Sequence, residues 1–280
     1  MPAAALTVEP DDMSGHDASM FYRHVLQTLH AAGIATLIGG AYAFRHYTGI
    51  ARPTKDLDIF LRRGDIPAAA AALRREGYET EMTFPHWLAK IYSDSGADFV
   101  DVIFSSGNGI AEVDDEWFAH AQEGTVLDLP VRICPAEESI WSKAFIMERE
   151  RFDGADIAHL IRAYGSRMDW ERLQRRFEPH WRVLLSHLVL FGFAYPGHRD
   201  LVPAPVMHGL MDRLREETDR PPTSPEICQG SLLSREQYLI DIEEWGYRDA
   251  RVMPLGNMTP RETAIWTDAI PRKDGEADPH

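Results

Sequence analysis

With 280 residues, the chain is long enough to bury a sizeable core in one large domain or two modest ones. Its 29 basic residues stand against 44 acidic ones, and the formal charge of −15 argues against broad, non-specific adhesion to nucleic acid or an anionic membrane. Cys134 and Cys228 show no zinc or disulfide spacing, and neither a secretory signal nor a membrane-spanning apolar run is evident. We therefore expect a cytoplasmic protein with no membrane partner.

The first half of the sequence alternates between helical and strand patterns. Apolar residues at helical spacing predict helices over residues 17–32, 41–47, 65–76 and 114–121. Runs of alternating and β-branched residues predict strands over residues 36–38, 56–60, 78–83, 87–92, 97–104 and 125–133, the last interrupted at Pro130. Residues 1–16 are expected to form a flexible arm.

From Pro135 onward the pattern becomes helical. Helices are predicted over residues 136–149, 153–164, 179–193, 205–217 and 237–245, with one more that begins after Asp169. The charged tail over residues 271–280 is poor in apolar residues, so we expect it to be disordered. The predicted strands thus lie in the first part of the chain, and the second part is helical. This order predicts an α+β chain, with a mixed α/β core over residues 17–134 and a helical C-terminal domain over residues 135–270.

The stretch over residues 36–61 carries the candidate chemistry. Acidic and apolar residues alternate through the predicted strand from Asp56, so the carboxylates of Asp56 and Asp58 share one face while the apolar residues enter the core. Two like charges this close require a neutralising cation, and Mg²⁺ (or Mn²⁺) prefers carboxylate oxygens. Upstream, Gly39 and Gly40 precede a helix N-terminus, which allows the backbone to approach a phosphate chain closely.

These motifs resemble the signature of the DNA polymerase β-type nucleotidyltransferase superfamily. The paired glycines, the loop Arg52-Pro53-Thr54-Lys55 and the Asp-x-Asp strand are similar to its pattern GG…R-x-T-x-D-[LI]-D. The form is most similar to small bacterial branches, including the AbiEii-like nucleotidyltransferases of toxin–antitoxin systems. The resemblance covers residues from about 20 to 165. It implies a polymerase β-like core and a metal-dependent reaction with an NTP, such as ATP, as co-substrate.

The resemblance also implies a third carboxylate on a neighbouring strand. Asp101 fits because an apolar run follows it, as in the family's third strand, and Asp98 is the alternative. Asp56, Asp58 and Asp101 would then bind the metal ions and form the catalytic set, with Asp101 accepting the proton of the acceptor hydroxyl.

Further residues are expected to bind the nucleotide. By the same resemblance, Lys143 meets the β- or γ-phosphate as a point charge, and either Asp153 or Asp156 orients it or joins the site. The alternatives are an exposed helix charge for Lys143, helix caps for the aspartates and a surface charge for Arg52. The predicted nucleotide-binding residues are Gly39, Gly40, Arg52, Lys55, Lys143 and Asp153.

The predicted function is transfer of NMP from an NTP to a hydroxyl acceptor, with release of pyrophosphate. The acceptor is an RNA end such as that of tRNA, a protein side chain, or a small molecule such as an aminoglycoside or lincosamide antibiotic. One alternative is an inactive nucleotide- or partner-binding module of the same fold, and another is an interaction protein whose acidic cluster only binds a cation. Whether the C-terminal domain binds the acceptor or a protein partner also stays open.

Overall fold

A mixed sheet forms the centre of the protein. The computed structural model describes residues 15–222 and 226–270, so the predicted tail and nearly all of the predicted arm lie outside the described residues. Among these residues, the strands of the sheet are β1 (Leu37–Ile38), β2 (Asp56–Phe60), β3 (Glu79–Phe84), β4 (Leu88–Tyr92), β5 (Phe99–Ile103), β6 (Gln122–Val126) and β7 (Leu129–Ile133). Their order is β3-β4-β5-β2-β1-β7-β6.

The pairing of β2 with β5 determines where the acidic residues meet. These two strands are parallel, and their register places Asp58 beside Asp101. Leu57 and Ile59 are fully buried on the other face of β2, as the alternating sequence predicts. Because β1 is antiparallel to β2 and parallel to β7, the sheet is mixed, and the predicted architecture of a mixed sheet with flanking helices is confirmed.

Helices flank the sheet and make up most of the second half of the chain. They are α1 (His16–Ala31), α2 (Gly40–Thr48), α3 (Ile66–Arg75), α4 (Asp115–Ala119), α5 (Ala136–Lys143), α6 (Gly154–Tyr164), α7 (Trp170–Phe177), α8 (Trp181–Ala194), α9 (Ala204–Thr218), α10 (Leu239–Glu243) and α11 (Pro260–Asp268). A two-residue pairing joins β8 (Ile227–Cys228) to β9 (Arg248–Asp249). The predicted helical C-terminal region is therefore present.

The hydrophobic core is continuous between the two halves. One cluster of buried side chains runs from α1 through the sheet to α8 and reaches Leu232 and Ala250 near the end of the chain. The domain boundary near residue 135 stays a prediction. Within residues 15–222 and 226–270, none of the helices has both the length and the apolar character that crossing a bilayer requires.

Two predictions of local structure were wrong, and one helix was missed. The chain breaks between β6 and β7 at Leu127 and Asp128, which have φ of 52° and 57°, rather than at Pro130. Pro130 lies within β7 because only the end of that strand pairs with the short β1, so its missing N–H is not needed there. The helix predicted over residues 136–149 ends at Lys143. Helix α11, which begins at a capping box formed by Thr259 and Glu262, was not predicted.

Candidate functional site

Three carboxylates from two neighbouring strands form the centre of the site. Asp56 and Asp58 lie on one face of β2, and Asp101 lies beside Asp58 on β5. One oxygen of each carboxylate lies within 4.8 Å of the corresponding oxygens of the other two. Thr54 donates a hydrogen bond of 2.6 Å from its hydroxyl to Asp56 Oδ1 and so orients that carboxylate. The predicted set of acids is thus brought together, whereas Asp98 is not part of this group.

The electrostatics of this cluster favour a bound cation. Burial raises the pKa of Asp58 to about 7, and the charges of Asp56 and Asp101 add to this rise. Lys143 and Arg151 act in the opposite direction and lower the pKa of Asp58. Carboxylate oxygens are the ligands that Mg²⁺ and Mn²⁺ prefer, and a divalent ion would offset the mutual repulsion of the three acids. The residues present therefore fit a divalent metal.

The paired glycines place the backbone directly against Asp58. The N–H of Gly39 donates a hydrogen bond of 2.9 Å to the carbonyl oxygen of Asp58. Gly40 has φ of +51°, and a Cβ atom there would lie 1.7 Å from Asp58 Oδ2. A residue with a side chain is excluded at Gly40 by both its backbone conformation and this contact. Helix α2 begins at this turn, so its N-terminal N–H groups lie beside the acidic cluster.

Basic residues line the site beside the carboxylates. Lys143 Nζ lies 3.0 Å from Oδ2 of Asp153 and 3.0 Å from Oδ2 of Asp156. Arg52 Nη1 lies 2.5 Å from Asp156 Oδ1. Arg151 binds Asp153 through two hydrogen bonds of 3.0 Å each. Asp153 and Asp156, at the start of α6, therefore hold three cations in place near the three carboxylates, which we call the triad.

A fourth cation contacts the triad itself. Lys90 pairs with Asp101 across β4 and β5, and its Nζ atom lies 2.6 Å from Asp101 Oδ1. The same ammonium group lies 3.7 Å from the centroid of the Phe99 ring. Burial raises the pKa of Asp101, while Lys90 opposes the rise. Lys90 thus fixes one oxygen of Asp101, and the other is available to a ligand.

A cavity of about 890 Å³ contains the triad. This volume lies within the range of roughly 300–1,000 Å³ that is usual for small-molecule and cofactor sites. Gly40, Arg52, Lys143, Arg151 and Asp156 are among its lining residues. Residues from the loop after β5 and from the C-terminal segment also line it.

A comparison with protein families assigns the chain to a family. The sequence profile of a family described as "Uncharacterised nucleotidyltransferase" matches residues 22–190, which is more than half of the chain. The chain belongs to this nucleotidyltransferase family. The AbiEii-like branch suggested by the sequence is not confirmed by this match. A comparison with curated proteins gives no significant match for the nucleotidyltransferase.

A comparison with solved structures gives several partial matches. The antibiotic-resistance factor ANT(2'')-Ia is 19% identical, with a TM-score of 0.43, and the match covers 61% of the nucleotidyltransferase and 96% of ANT(2'')-Ia. The lincomycin-bound lincosamide antibiotic adenylyltransferase LnuA is 15% identical, with a TM-score of 0.37 and coverage of 53% and 97%. A nucleotidyltransferase-like protein from Paracoccidioides brasiliensis is 15% identical, with a TM-score of 0.43 and coverage of 70% and 99%.

Some of the predicted nucleotide-binding residues line the cavity, and others do not. Arg52 and Lys143 line the cavity, whereas Lys55 is exposed and is not among the lining residues. Asp156 lines the cavity, and Asp153 lies behind it as a buried partner of the cations. The start of α6 thus lies beside the cavity, and the choice between Asp153 and Asp156 as a site residue stays open.

Several lining residues were not predicted as site residues. They are, among others, Trp87, Ser142, Glu148, Arg151, Arg235 and Trp266. The sequence carries a signal for Arg151, which lies two residues before Asp153 and thus near the predicted α6 cap. The remaining ones reach the cavity through tertiary contacts that no local pattern indicates.

Substitution of Gly40 by alanine is expected to reduce activity at least about 100-fold, because the new Cβ overlaps Asp58 Oδ2 and displaces a proposed metal ligand. Gly49 is a matched control, since it also has positive φ, of +72°, but no atom lies within 4 Å of a Cβ built there. Gly49→Ala should lose stability from backbone strain alone and keep its activity per folded molecule. Circular dichroism melting and steady-state rates measure both effects; equal rates for the two variants would contradict the prediction.

Proposed function

We propose that this nucleotidyltransferase moves NMP from an NTP to a hydroxyl group in a reaction that depends on Mg²⁺ or Mn²⁺. Asp56, Asp58 and Asp101 would hold the metal. The observation that carries this proposal is the approach of three carboxylates to within 4.8 Å on adjacent strands, directly beside a glycine turn and a helix N-terminus. When bound, a divalent metal supplies a Lewis acid that stabilises negative charge on the phosphate oxygens.

The protein's own residues would bind and orient the reacting groups. The backbone at Gly39 and Gly40 would approach the triphosphate, with the N-terminus of α2 favouring its negative charge. Arg52, Lys143 and Arg151 would neutralise the phosphates, because all three line the cavity and are held together by Asp153 and Asp156. Lys55 and Asp153 would act less directly, through the loop and through Lys143 respectively.

The group transfer then balances as a displacement at the α-phosphorus. The acceptor oxygen forms a bond to the α-phosphorus while the bond from that phosphorus to the bridging oxygen breaks, which releases pyrophosphate. Asp101 would take the proton of the acceptor hydroxyl through its oxygen that Lys90 does not hold. The product is a nucleotidyl phosphodiester of the acceptor.

A binding module without activity is a less suitable explanation of these observations. Such a module has no need of three acids in a costly cluster, since each added negative charge repels an NTP. A site that only binds a cation likewise has no use for Arg52, Lys143 and Arg151 in the same cavity. Each of these alternatives predicts an experimental result that differs from the result expected for nucleotidyl transfer.

The direct test is label transfer from each of the four α-labelled NTPs into a whole-cell extract, with Mg²⁺ and with EDTA. RNA, protein and small-molecule fractions are separated afterwards. We expect label in one fraction that requires Mg²⁺ and disappears in the Asp58→Asn variant. Label that persists in this variant would place the active site elsewhere. Tight NTP binding without label in any fraction would favour the inactive module, and cation binding that is indifferent to NTP would favour the interaction protein.

A further inference from the structure

One wall of the cavity comes from beyond the region that the family profile matches. The match ends at residue 190, yet the loop over residues 231–236, Trp266 and Ile270 all contribute to the lining. The C-terminal segment from Gly230 to Ile270 therefore returns to the catalytic cavity after the helices α8 and α9. We call this part of the lining the C-terminal wall.

Hydrogen bonds hold the C-terminal wall in place. Asn108 Nδ2 donates to the carbonyl oxygen of Leu232 over 2.8 Å. The N–H of Met147 donates to the carbonyl oxygen of Leu233 over 3.1 Å. These bonds join the segment to the loop after β5 and to the loop after α5. The wall is thus a fixed part of the cavity.

Trp266 is the largest side chain of this wall. Its ring packs edge-on against Phe84, with centroids 4.8 Å apart, and against Trp87, at 5.3 Å. A Cβ atom on Gly107 would lie 2.7 Å from the Trp266 ring, so the absence of a side chain there gives the indole its place. The Arg235 guanidinium lies 4.2 Å from the centroid of the same ring.

The strand order separates Trp266, the largest side chain of the C-terminal wall, from the phosphate-binding cations. The cations come from the loop before β2 and from the region of α5 and α6. Trp266 instead contacts the hairpin of β3 and β4, and in the sheet order these strands lie on the other side of β5 from β2. Asp101 on β5 therefore lies between the two parts of the cavity. One part suits the triphosphate, and the other adjoins the carboxylate that would receive the acceptor's proton.

The lining of this second part indicates what it binds. Ile103, Trp87, Leu232 and Trp266 offer apolar and aromatic surface, and Ser105 adds a short polar group nearby. Arg235 and Glu236 add one charge of each sign beside this surface. From Asp101 to Ile103, where β5 ends, the chain spans about 7 Å at roughly 3.3 Å per residue. A ligand lying along β5 can contact the aromatic wall and still present a group at the triad. The chain's charge of −15 makes a polyanionic acceptor unfavourable here.

We propose that the C-terminal wall forms the acceptor site, and that the acceptor is a small molecule with an apolar, ring-containing body and a free hydroxyl group. The body packs against Trp266, and the hydroxyl reaches Asp101. This inference rests on the proposed function, because it assigns the acceptor of the same transfer reaction. RNA ends and protein side chains are the competing acceptors.

The test uses the full-length protein and the NTP that gives label transfer. The wild type is incubated with the labelled NTP and Mg²⁺, together with the RNA, the protein or the ultrafiltrate of a whole-cell extract. The variants are Trp266→Ala and Trp266→Phe, and the control is Trp245→Ala, because Trp245 is 64% exposed and does not line the cavity. Binding of a fluorescent, non-hydrolysable NTP analogue is measured for each variant, as is its melting temperature.

We expect label in a product of the ultrafiltrate. Trp266→Ala should slow this transfer at least about tenfold, since it removes the main apolar contact of the acceptor. Its affinity for the NTP analogue should change less than about twofold. Trp266→Phe keeps an aromatic ring of smaller area, so its rate should lie between those of Trp266→Ala and the wild type. The Trp245→Ala control should match the wild type.

Several outcomes overturn this proposal while leaving the proposed function intact. Label in the RNA or protein fraction assigns a different acceptor, and so does an ultrafiltrate rate that Trp266→Ala leaves unchanged. If Trp266→Ala fails to fold, Trp266→Phe decides, because an unchanged dependence of the rate on ultrafiltrate concentration contradicts a contact with the acceptor. If the wild type neither binds the NTP analogue nor transfers label, the proposed function fails and the acceptor site fails with it.

Discussion

Replacing Asp58 by asparagine is expected to abolish nucleotidyl transfer and, at the same time, to raise the melting temperature of the metal-free protein. The loss of activity should reach at least about a thousandfold, because the variant lacks one of the three acids that would hold the metal. The gain in stability has a separate cause. Asp58 is partly buried and lies with Asp56 and Asp101 in a cluster whose members are within 4.8 Å, so its ionised form destabilises the folded state.

The direction of the pH dependence follows from the pKa of Asp58. Folding raises this pKa from its ordinary value of 3.8 to about 7, mainly through burial and then through the two neighbouring acids. A carboxyl whose pKa rises on folding binds its proton more tightly in the folded state, so the free energy of unfolding falls as the pH increases from about 4 to about 7. Above that range the destabilisation is complete and amounts to roughly 4 kcal/mol. Asparagine has no such charge at any pH.

Thermal melting of the wild type and of Asp58→Asn, at pH 5 and pH 8 with EDTA or Mg²⁺, measures these effects. The difference between the two proteins in EDTA should be larger at the higher pH, and Mg²⁺ should stabilise only the wild type. Asp98→Asn is the matched control, since Asp98 directly precedes β5, the strand of Asp101, but lies outside the triad. A lower melting temperature for Asp58→Asn than for the wild type in EDTA at pH 8 would contradict the repulsion on which this prediction depends.

The centre of the site was predictable because local periodicity determines it. Alternation in a strand places Asp56 and Asp58 on one face, and the apolar run after Asp101 indicates a buried neighbouring strand. The glycine turn before α2 was predictable for the same reason, since its conformation restricts the residue type locally. The exact pairing of Asp58 with Asp101 required the strand register, which the sequence does not display.

The rest of the cavity depends on contacts between residues far apart in the chain. Helical propensity continues past Lys143, but the backbone turns away there because the N–H of Met147 bonds to Leu233. Tertiary hydrogen bonding therefore outweighs propensity at this point, and the turn places Glu148 and Arg151 in the cavity. Trp266 follows a capping box in a segment of mixed composition, and nothing in its local pattern indicates that it packs on Gly107.

Replacing Lys143 by methionine is expected to weaken binding of the NTP with little cost to the fold. Lys143 lines the cavity, and its charge lowers the pKa of Asp58, so its ammonium group acts directly on one of the proposed metal ligands. Its two acidic partners are not left unpaired by the substitution, because Asp153 keeps Arg151 and Asp156 keeps Arg52. The loss of stability should therefore stay near 1 kcal/mol, whereas a lost charge-assisted contact to the triphosphate costs about 2 kcal/mol or more in binding.

In kinetic terms, we expect the KM for the NTP to rise about 30-fold, with a similar loss in the affinity for a non-hydrolysable analogue. Stabilisation by Mg²⁺ alone should persist in this variant, because the three carboxylates remain, and that result separates Lys143 from the metal ligands. Lys55→Met removes the same charge from an exposed side chain outside the cavity lining, so its effect on the KM should be less than about twofold. If the two lysine variants raise the KM equally, the net charge of the region attracts the nucleotide, and Lys143 makes no specific contact with the triphosphate.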